Sequence, residues 1–349
     1  MQESTTYIYG LIPTGEEVIF DVAGMDDHHD RVFSAPHHDI AAVVGASPLL
    51  DYRGLKREEA VRYLVAHQGV LEAVMQRFPV LPVKFGTVLP DQTWVRRLLA
   101  QGENLFRATL ERFAGLLQME VVVLWNLEEV FQEIGQEEPI ARLKAQVAAQ
   151  PPAAAMMAER ITIGQMVKAS LERRRAELKT CLLPPLRELA LGLVINPLMD
   201  ERMVANVALL VDRSGREALD RRLSELDDKF QGRLRLRCVG PLPPYSFATV
   251  EVEVPSFEEL ERARCRLGLG KKITLREIRQ AYRRMAGHLH PDLNPEAPEA
   301  QRHMAELTQA YQLLTAYAEG FAQGTVCYLD RPAVEGTLLI AIRRQGVLI

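Results

Sequence analysis

The 349-residue chain contains no uninterrupted apolar run approaching the roughly 18 residues of a membrane-spanning helix, so no span is expected. Its opening, MQESTTYIYG, has neither the basic nor the apolar stretch of a secretory signal, and the expected location is cytoplasmic. Cys181, Cys238, Cys265 and Cys327 stand far apart without a C-x-x-C pair, which argues against a structural zinc site and predicts reduced, mostly buried thiols. Neither sign of charge dominates. With 46 acidic and 42 basic side chains the net charge is −4, which offers no general attraction to nucleic acid or an anionic membrane. G-x-S-x-G, H-E-x-x-H and Walker sequences are absent, and no arrangement of Cys, His and Asp stands out as a nucleophilic site. Paired acids such as Glu58–Glu59 and Glu258–Glu259 fall on helical, exposed positions, whereas a general acid or base needs burial to shift its pKa. The chain is therefore read as a non-enzymatic protein without a cofactor.

What is present is ordinary globular material, 48% apolar and 25% charged, in a length that implies two or three domains. Residues 5–11, 40–44, 80–85 and 119–125 read as strands, separated by helical patterns over about 56–76 and 91–117. In the first helix Ala60, Leu64, Val65, Leu71 and Val74 keep returning to one face. Without a Gly-rich phosphate loop this interleaving favours an α+β sandwich, assigned to residues 1–126. Residues 127–200 read as a helical linker or coiled-coil segment, broken at Pro139, Pro151–Pro152 and Pro184–Pro185, with Ile163, Val167, Leu171, Leu178 and Leu182 on one stripe. The run Glu172 to Arg175 is read as a solvated face.

A second α+β domain is placed at 201–255. There 204–211 is a strand, 215–229 a helix, and Leu234, Leu236 and Cys238 alternate with Arg233, Arg235 and Arg237. Pro241, Pro243 and Pro244 remove amide donors, so this piece must be an edge or a loop. Residues 256–322 form a helical module, and 323–349 a β-hairpin, with strands at 325–329 and 337–342, that joins the second sheet. Asp26, Asp27, His28, His29, Asp30, His37, His38 and Asp39 contain metal-ligand types, but adjacent histidines in a strand face opposite ways, so a solvated loop is expected and no metal.

Within the helical module Ile278, Ala281, Tyr282, Met285 and Leu289 form a narrow apolar face, opposite Arg276, Arg279, Arg283 and Arg284. The stretch LGLGKKITLREIRQAYRRMAGHLHPDLNP followed by AELTQAYQLL resembles a J-domain, the module that engages DnaK-type ATPases. The resemblance implies an all-helical J-like hairpin in which His290, Pro291 and Asp292 contact the ATPase and Arg279, Arg283 and Arg284 dock it electrostatically. Leu289 and Leu293 replace the family's usual aromatic and basic neighbours of the HPD tripeptide, and its fourth helix has no counterpart. The bland alternative is a hairpin whose His290 and Asp292 only cap and turn the chain.

TYIYGLIP, LPVKFGTVL, MEVVVLWN and VGPLPPYSF occur in the order found in the GvpF/GvpL family of gas vesicle proteins, which residues 5–254 resemble. The matching positions are Tyr9, Gly10, Pro82, Phe85, Gly86, Gly240, Pro241, Pro244, Tyr245 and Phe247, with Leu242 where the family usually has tryptophan. The strand aromatics Tyr7, Tyr9, Phe85, Tyr245 and Phe247 are read as core rather than contact residues, and Pro82 and Gly86 as fixing the backbone. The resemblance implies two small α+β domains, the first ferredoxin-like, joined by long helices. It also implies an assembly role in which the chain binds the hydrophobic shell subunit and other accessory proteins and is associated with the gas vesicle. The J-like module would add recruitment of a DnaK-type chaperone; alternatives are a general J-domain co-chaperone and a minor structural component of the vesicle.

Overall fold

The computed structural model describes residues 5–26, 31–49, 51–52, 54–149, 156–289, 298–320, 326–344 and 347–348. They form two compact units. One comprises Met1–Val70, Val83–Phe106 and Val250–Arg343; the other comprises Leu71–Pro82, Arg107–Thr249 and Arg344–Ile349. Among the described residues no helix is long and apolar enough to cross a membrane.

In the first unit β1 (Thr6–Ile12), β2 (Ile19–Phe20), β3 (Val32–His37) and β4 (Ile40–Ala46) run antiparallel in the order β2-β3-β4-β1. All seven residues of β1 are buried, the mark of a strand covered on both faces. Its register against β4 slips between Ile8 and Gly10, so Tyr9 is the extra residue of a bulge. Next come α1 (Arg57–Met75), β5 (Leu81–Pro82), β6 (Val88–Leu89), which pairs with β1, and α2 (Gln92–Arg112). The buried face of α1 carries His67, Val70, Leu71 and Val74. Leu64 and Val65, expected on that face, are 50% and 66% exposed beside Val61. His67 meets the aromatic side chains of β1, and no residue of α1 before it is buried, so Leu64 is exposed although it lies on the same side of the helix as the buried Leu71.

Within its long segment, Arg107–Thr249, the second unit carries β7 (Leu116–Trp125), α3 (Leu127–Gly135), α4 (Glu138–Ala148), α5 (Met156–Arg187), β8 (Gly192–Ile195), β9 (Met203–Asp212), α6 (Gly215–Phe230) and β10 (Leu234–Leu242). Its strands lie in the order β10-β7-β9-β8, each pair antiparallel. Strand, helices, two strands, helix, strand in this spatial order is the split βαβ arrangement. The expectation placed a ferredoxin-like domain at 1–126, where instead four strands precede the first helix. The boundary at 126 is corrected as well, because the strand ending at Trp125 pairs with β9 and β10. Residues 127–200 are not a linker. Leu171, Leu182 and Leu186 of α5 are buried with Val121, Val123, Val207 and Leu209 of the sheet, and Ile163, Val167 and Leu178 pack against the same core. Nor does Pro184–Pro185 end α5. The pair sits in its last turn, so the two missing amides interrupt the helical ladder only near its end, and Leu182 and Leu186 anchor either side.

The run Glu172 to Arg175 also differs from the expected solvated face. Arg174 donates to Glu133 at 2.5 Å and Glu137 at 2.9 Å, Arg173 reaches Glu137 at 3.2 Å, and the Ser170 hydroxyl donates to Glu137 at 2.7 Å. Arg175 donates to the Met203 carbonyl at 3.0 Å with its guanidinium 5.4 Å from the centre of the Trp125 ring. The hydrogen bond from Ser170 and those from Arg174 and Arg173 hold the Glu137 carboxyl below its ordinary pKa. These bonds tie α5 to α3 and to the start of β9. On β10 the alternation holds, with Leu234 buried, Leu236 half-buried and Arg233, Arg235 and Arg237 exposed. Pro241 lies at the end of this edge strand. Cys238 is exposed on the edge strand, and Cys181 and Cys265 are exposed on helices, leaving Cys327 the buried thiol.

The chain re-enters the first unit through β11 (Thr249–Glu253), α7 (Phe257–Arg266), β12 (Lys272–Ile273), α8 (Leu275–Leu289) and α9 (Pro298–Glu319). Then come β13 (Cys327–Tyr328), α10 (Arg331–Glu335), β14 (Leu339–Arg343) and β15 (Val347–Leu348). The expected C-terminal hairpin is not formed. Asp330 caps α10, which separates the two segments; β13 pairs with β12 and β14 with β11, and β15 alone of these joins the second sheet, on β8. Replacing Arg174 by alanine is expected to lower stability by about 1–2 kcal/mol in urea denaturation, because it leaves Glu133 and Glu137 short of their charged donor; replacing the exposed Arg142 should change it by under about 0.5 kcal/mol.

Candidate functional site

Two places gather the residues that the sequence singles out, a basic helix face and an aromatic cluster. The basic face lies on α8. A capping box starts that helix: the Thr274 amide donates to Glu277 at 2.8 Å and the Glu277 amide to the Thr274 hydroxyl at 3.3 Å. Ile278 and Ala281 are buried against Leu307, Ala310 and Leu314 of α9 and Leu260 of α7, with Tyr282 and Met285 packed alongside. Tyr282 stacks on Tyr311 with ring centres 4.3 Å apart. With one face so occupied, Arg276, Arg279, Arg283 and Arg284 are all exposed. Arg279 lies 3.8 Å from Glu319, whereas Arg276, Arg283 and Arg284 make no ion pair among the described residues. His290, Pro291 and Asp292 follow α8 directly in sequence and lie outside the described residues.

The aromatic cluster is built on β1. Tyr7 and Tyr9 are fully buried with ring centres 4.8 Å apart. The Tyr7 hydroxyl shares a 2.9 Å hydrogen bond with Nδ1 of His67 and accepts the Gly86 amide at 3.0 Å. The Tyr9 hydroxyl accepts the Met25 amide at 2.9 Å. Phe85 meets the His67 ring edge-on at 5.7 Å and Tyr52 at 5.6 Å. Gly86 has φ +81°, and a Cβ there would stand 3.0 Å from Cβ of Tyr52, so the glycine of the VKFG segment serves both conformation and close approach. Backbone bonds extend the stitching: the Val83 amide donates to the Tyr9 carbonyl at 3.0 Å and the Lys84 amide to the Val250 carbonyl at 2.8 Å.

In the second unit the GPLPPYSF corner is set by Gly240, whose φ of +139° and whose contacts exclude a side chain; a Cβ would meet Sδ of Met119 at 2.8 Å and the Gln118 carbonyl at 2.9 Å. The fully buried Gln118 accepts the Ser246 amide at 2.8 Å, and the Ala248 amide donates to the Pro244 carbonyl at 2.8 Å. Phe247 is buried, while burial and the nearby Glu72 carboxylate push the Tyr245 phenol above its ordinary pKa. Gly10 lies in β1 and Pro82 in β5, and Pro244 takes part through its carbonyl. Sequence reasoning missed His67, Tyr52 and Gln118. The available signal was a histidine four residues after Tyr63 on a helix otherwise lined with aliphatic side chains.

These sites offer packing and charge, and the shift that bears on mildly acidic pH belongs to His67, which burial holds at a pKa of about 4 against an ordinary 6.5. A neutral ring is what the fold favours. That contribution is fully present above about pH 6.5 and is lost as pH falls from there to about 4, because the unfolded chain takes up the proton first. The loss should approach about 3 kcal/mol, and the stability difference between pH 7 and pH 4.5 should shrink by about 2–3 kcal/mol in His67→Gln relative to the natural chain, measured by urea denaturation at both values.

The family described as gas vesicle synthesis protein GvpL/GvpF matches residues 5–249, and the DnaJ domain matches residues 266–319. Gas vesicle protein F of Nostoc sp. is 26% identical over 254 residues, covering 71% of this chain and 99% of that protein. Gas vesicle protein L of Streptomyces sp. is 31% identical over 233 residues, covering 62% of this chain and 83% of that protein. The crystal structure of GvpF from Anabaena sp. superposes with a TM-score of 0.56 at 25% identity, covering 70% of this chain and 97% of that one. Over the helical module, the chaperone protein DnaJ of Chlorobium phaeobacteroides is 43% identical across 49 residues, 14% of this chain and 12% of that chaperone.

Proposed function

Because the chain belongs to the GvpL/GvpF family of gas vesicle synthesis proteins and carries a DnaJ domain, we propose that it is an assembly factor coupling shell-subunit handling to a DnaK-type ATPase. In this reading the chain works by binding and not by catalysis, in the cytoplasm and at the growing vesicle. The shell subunit is strongly apolar, and a partner that covers or orients it before incorporation prevents unproductive association. The stripe Val61, Leu64 and Val65 on α1 offers exposed surface of matching chemistry.

The observation that carries the reading is the union, in one chain, of a GvpL/GvpF body with α8. That helix keeps Arg276, Arg283 and Arg284 exposed immediately before His290, Pro291 and Asp292. A basic face of this kind steers an acidic partner and lets the adjoining tripeptide meet it. Arg279, Arg283 and Arg284 serve as docking charges, and His290, Pro291 and Asp292 as the trigger for hydrolysis.

Co-purification of the full chain with the major gas vesicle shell protein, against an unrelated hydrophobic protein, should show selective capture of the shell protein. Equal capture of both would oppose a specific assembly role. His290→Gln should abolish stimulation of a DnaK-type ATPase in single-turnover hydrolysis and leave shell capture intact. Joint reversal of Arg279, Arg283 and Arg284 to glutamate should weaken stimulation and remove its salt dependence.

A further inference from the structure

His37 ends β3 and His38 opens the turn into β4, so ordinary strand geometry would send their rings to opposite faces. The turn changes that. His38 has φ 55°, a left-handed conformation that two-residue hairpin turns normally reserve for glycine, asparagine or aspartate. The two imidazoles then stand with centres 4.3 Å apart. Gly15 holds the turn from the other side, since a Cβ there would approach the His38 carbonyl oxygen to 2.4 Å. From α2, Glu103 reaches both rings. Its carboxylate oxygens lie 3.4 Å from Nε2 of His37 and 3.1 Å from Nδ1 of His38.

The structure assigns to His37, His38 and Glu103 a binding site for a divalent transition cation of the zinc class, at the junction of the β3–β4 turn with α2. One atom from each residue falls within 4.8 Å of the other two. Donors about 2.1 Å from a single tetrahedral ion stand about 3.4 Å apart, so only small rotamer adjustments bring three of these atoms onto one ion. Two imidazoles and one carboxylate suit zinc, and their softness selects against magnesium and calcium, which take oxygen ligands. His37 and Glu103 are each 24% exposed and define the floor; His38, at 67%, is the side from which an ion arrives. Three protein donors leave a fourth position for water or for a ligand from another molecule. A bound ion would cross-link the turn to α2, two elements 65 residues apart in sequence at His38 and Glu103.

The test uses the full chain, stripped with a chelator and titrated with Zn²⁺ against a chromophoric competitor, beside His38→Gly and Glu103→Gln. Glycine at position 38 keeps the left-handed turn and removes only the ring. The natural chain should bind Zn²⁺ with a thermal-unfolding midpoint that rises on addition, and each variant should lose at least about tenfold in affinity together with that rise. Circular dichroism of both variants should match the natural chain without metal. The proposal is overturned if either variant takes up Zn²⁺ as tightly as the natural chain, which would place the ion elsewhere, or if the natural chain takes up none and the contacts are hydrogen bonds alone.

Discussion

The hydroxyl of Tyr7 is the point on which the first unit hangs. It belongs to the second residue of a strand buried on both faces, where a lone polar atom would be costly, and it is satisfied by His67 from α1 and by the Gly86 amide from a loop far along the chain. One phenol thereby fixes the rotation of a helix and the path of a loop. Val61, Leu64 and Val65 precede His67, in the part of α1 where no residue is buried, and so stay outward even though they share the helical period of the core. The loop path explains why Gly86 sits at positive φ against Tyr52. Neutrality of His67 follows from the same burial, so the acid sensitivity of the unit is built into its central contact.

The second unit depends on a different chemistry. Its sheet buries aliphatic side chains against α5, and the polar margin of that contact is closed by arginines that serve two acids and two backbone carbonyls. Arg174 illustrates why such a group persists in a partly buried place: burial opposes its charge, but Glu133 and Glu137 outweigh burial and leave it more firmly protonated than usual. Helices that might have spaced two domains are instead one layer of a single core.

How much of this was legible in the sequence depended on the range of the interaction. Strand segments at β1, β4, β7, β9 and β10, and the apolar faces of α5 and α8, follow from local periodicity and emerge where expected. Which strand pairs with which does not. Sequence order groups β7 with the strands before it, yet its partners β9 and β10 are about 80 to 125 residues away in the chain, and nothing in the alternation of Val121 and Val123 encodes that choice. The same limit applies to the last strands, where similar short apolar runs find three different partners. Motifs were legible as motifs, and the structure supplies the reason for their glycines: Gly86 and Gly240 both have positive φ, with Tyr52 close against the first and no room for a Cβ at the second. His37 and His38 were discounted on a rule about strands that a left-handed turn sets aside.

β10 forms one border of its sheet, carrying Arg235 and Arg237 outward and Pro241 just before its last residue. A border of unpaired backbone groups is where a foreign strand would add. Positive charges repel an identical border, and Pro241 has no amide to offer it. That border is therefore guarded against pairing with the same border of a second copy, a protection built from side-chain charge and a missing amide rather than from any covering element.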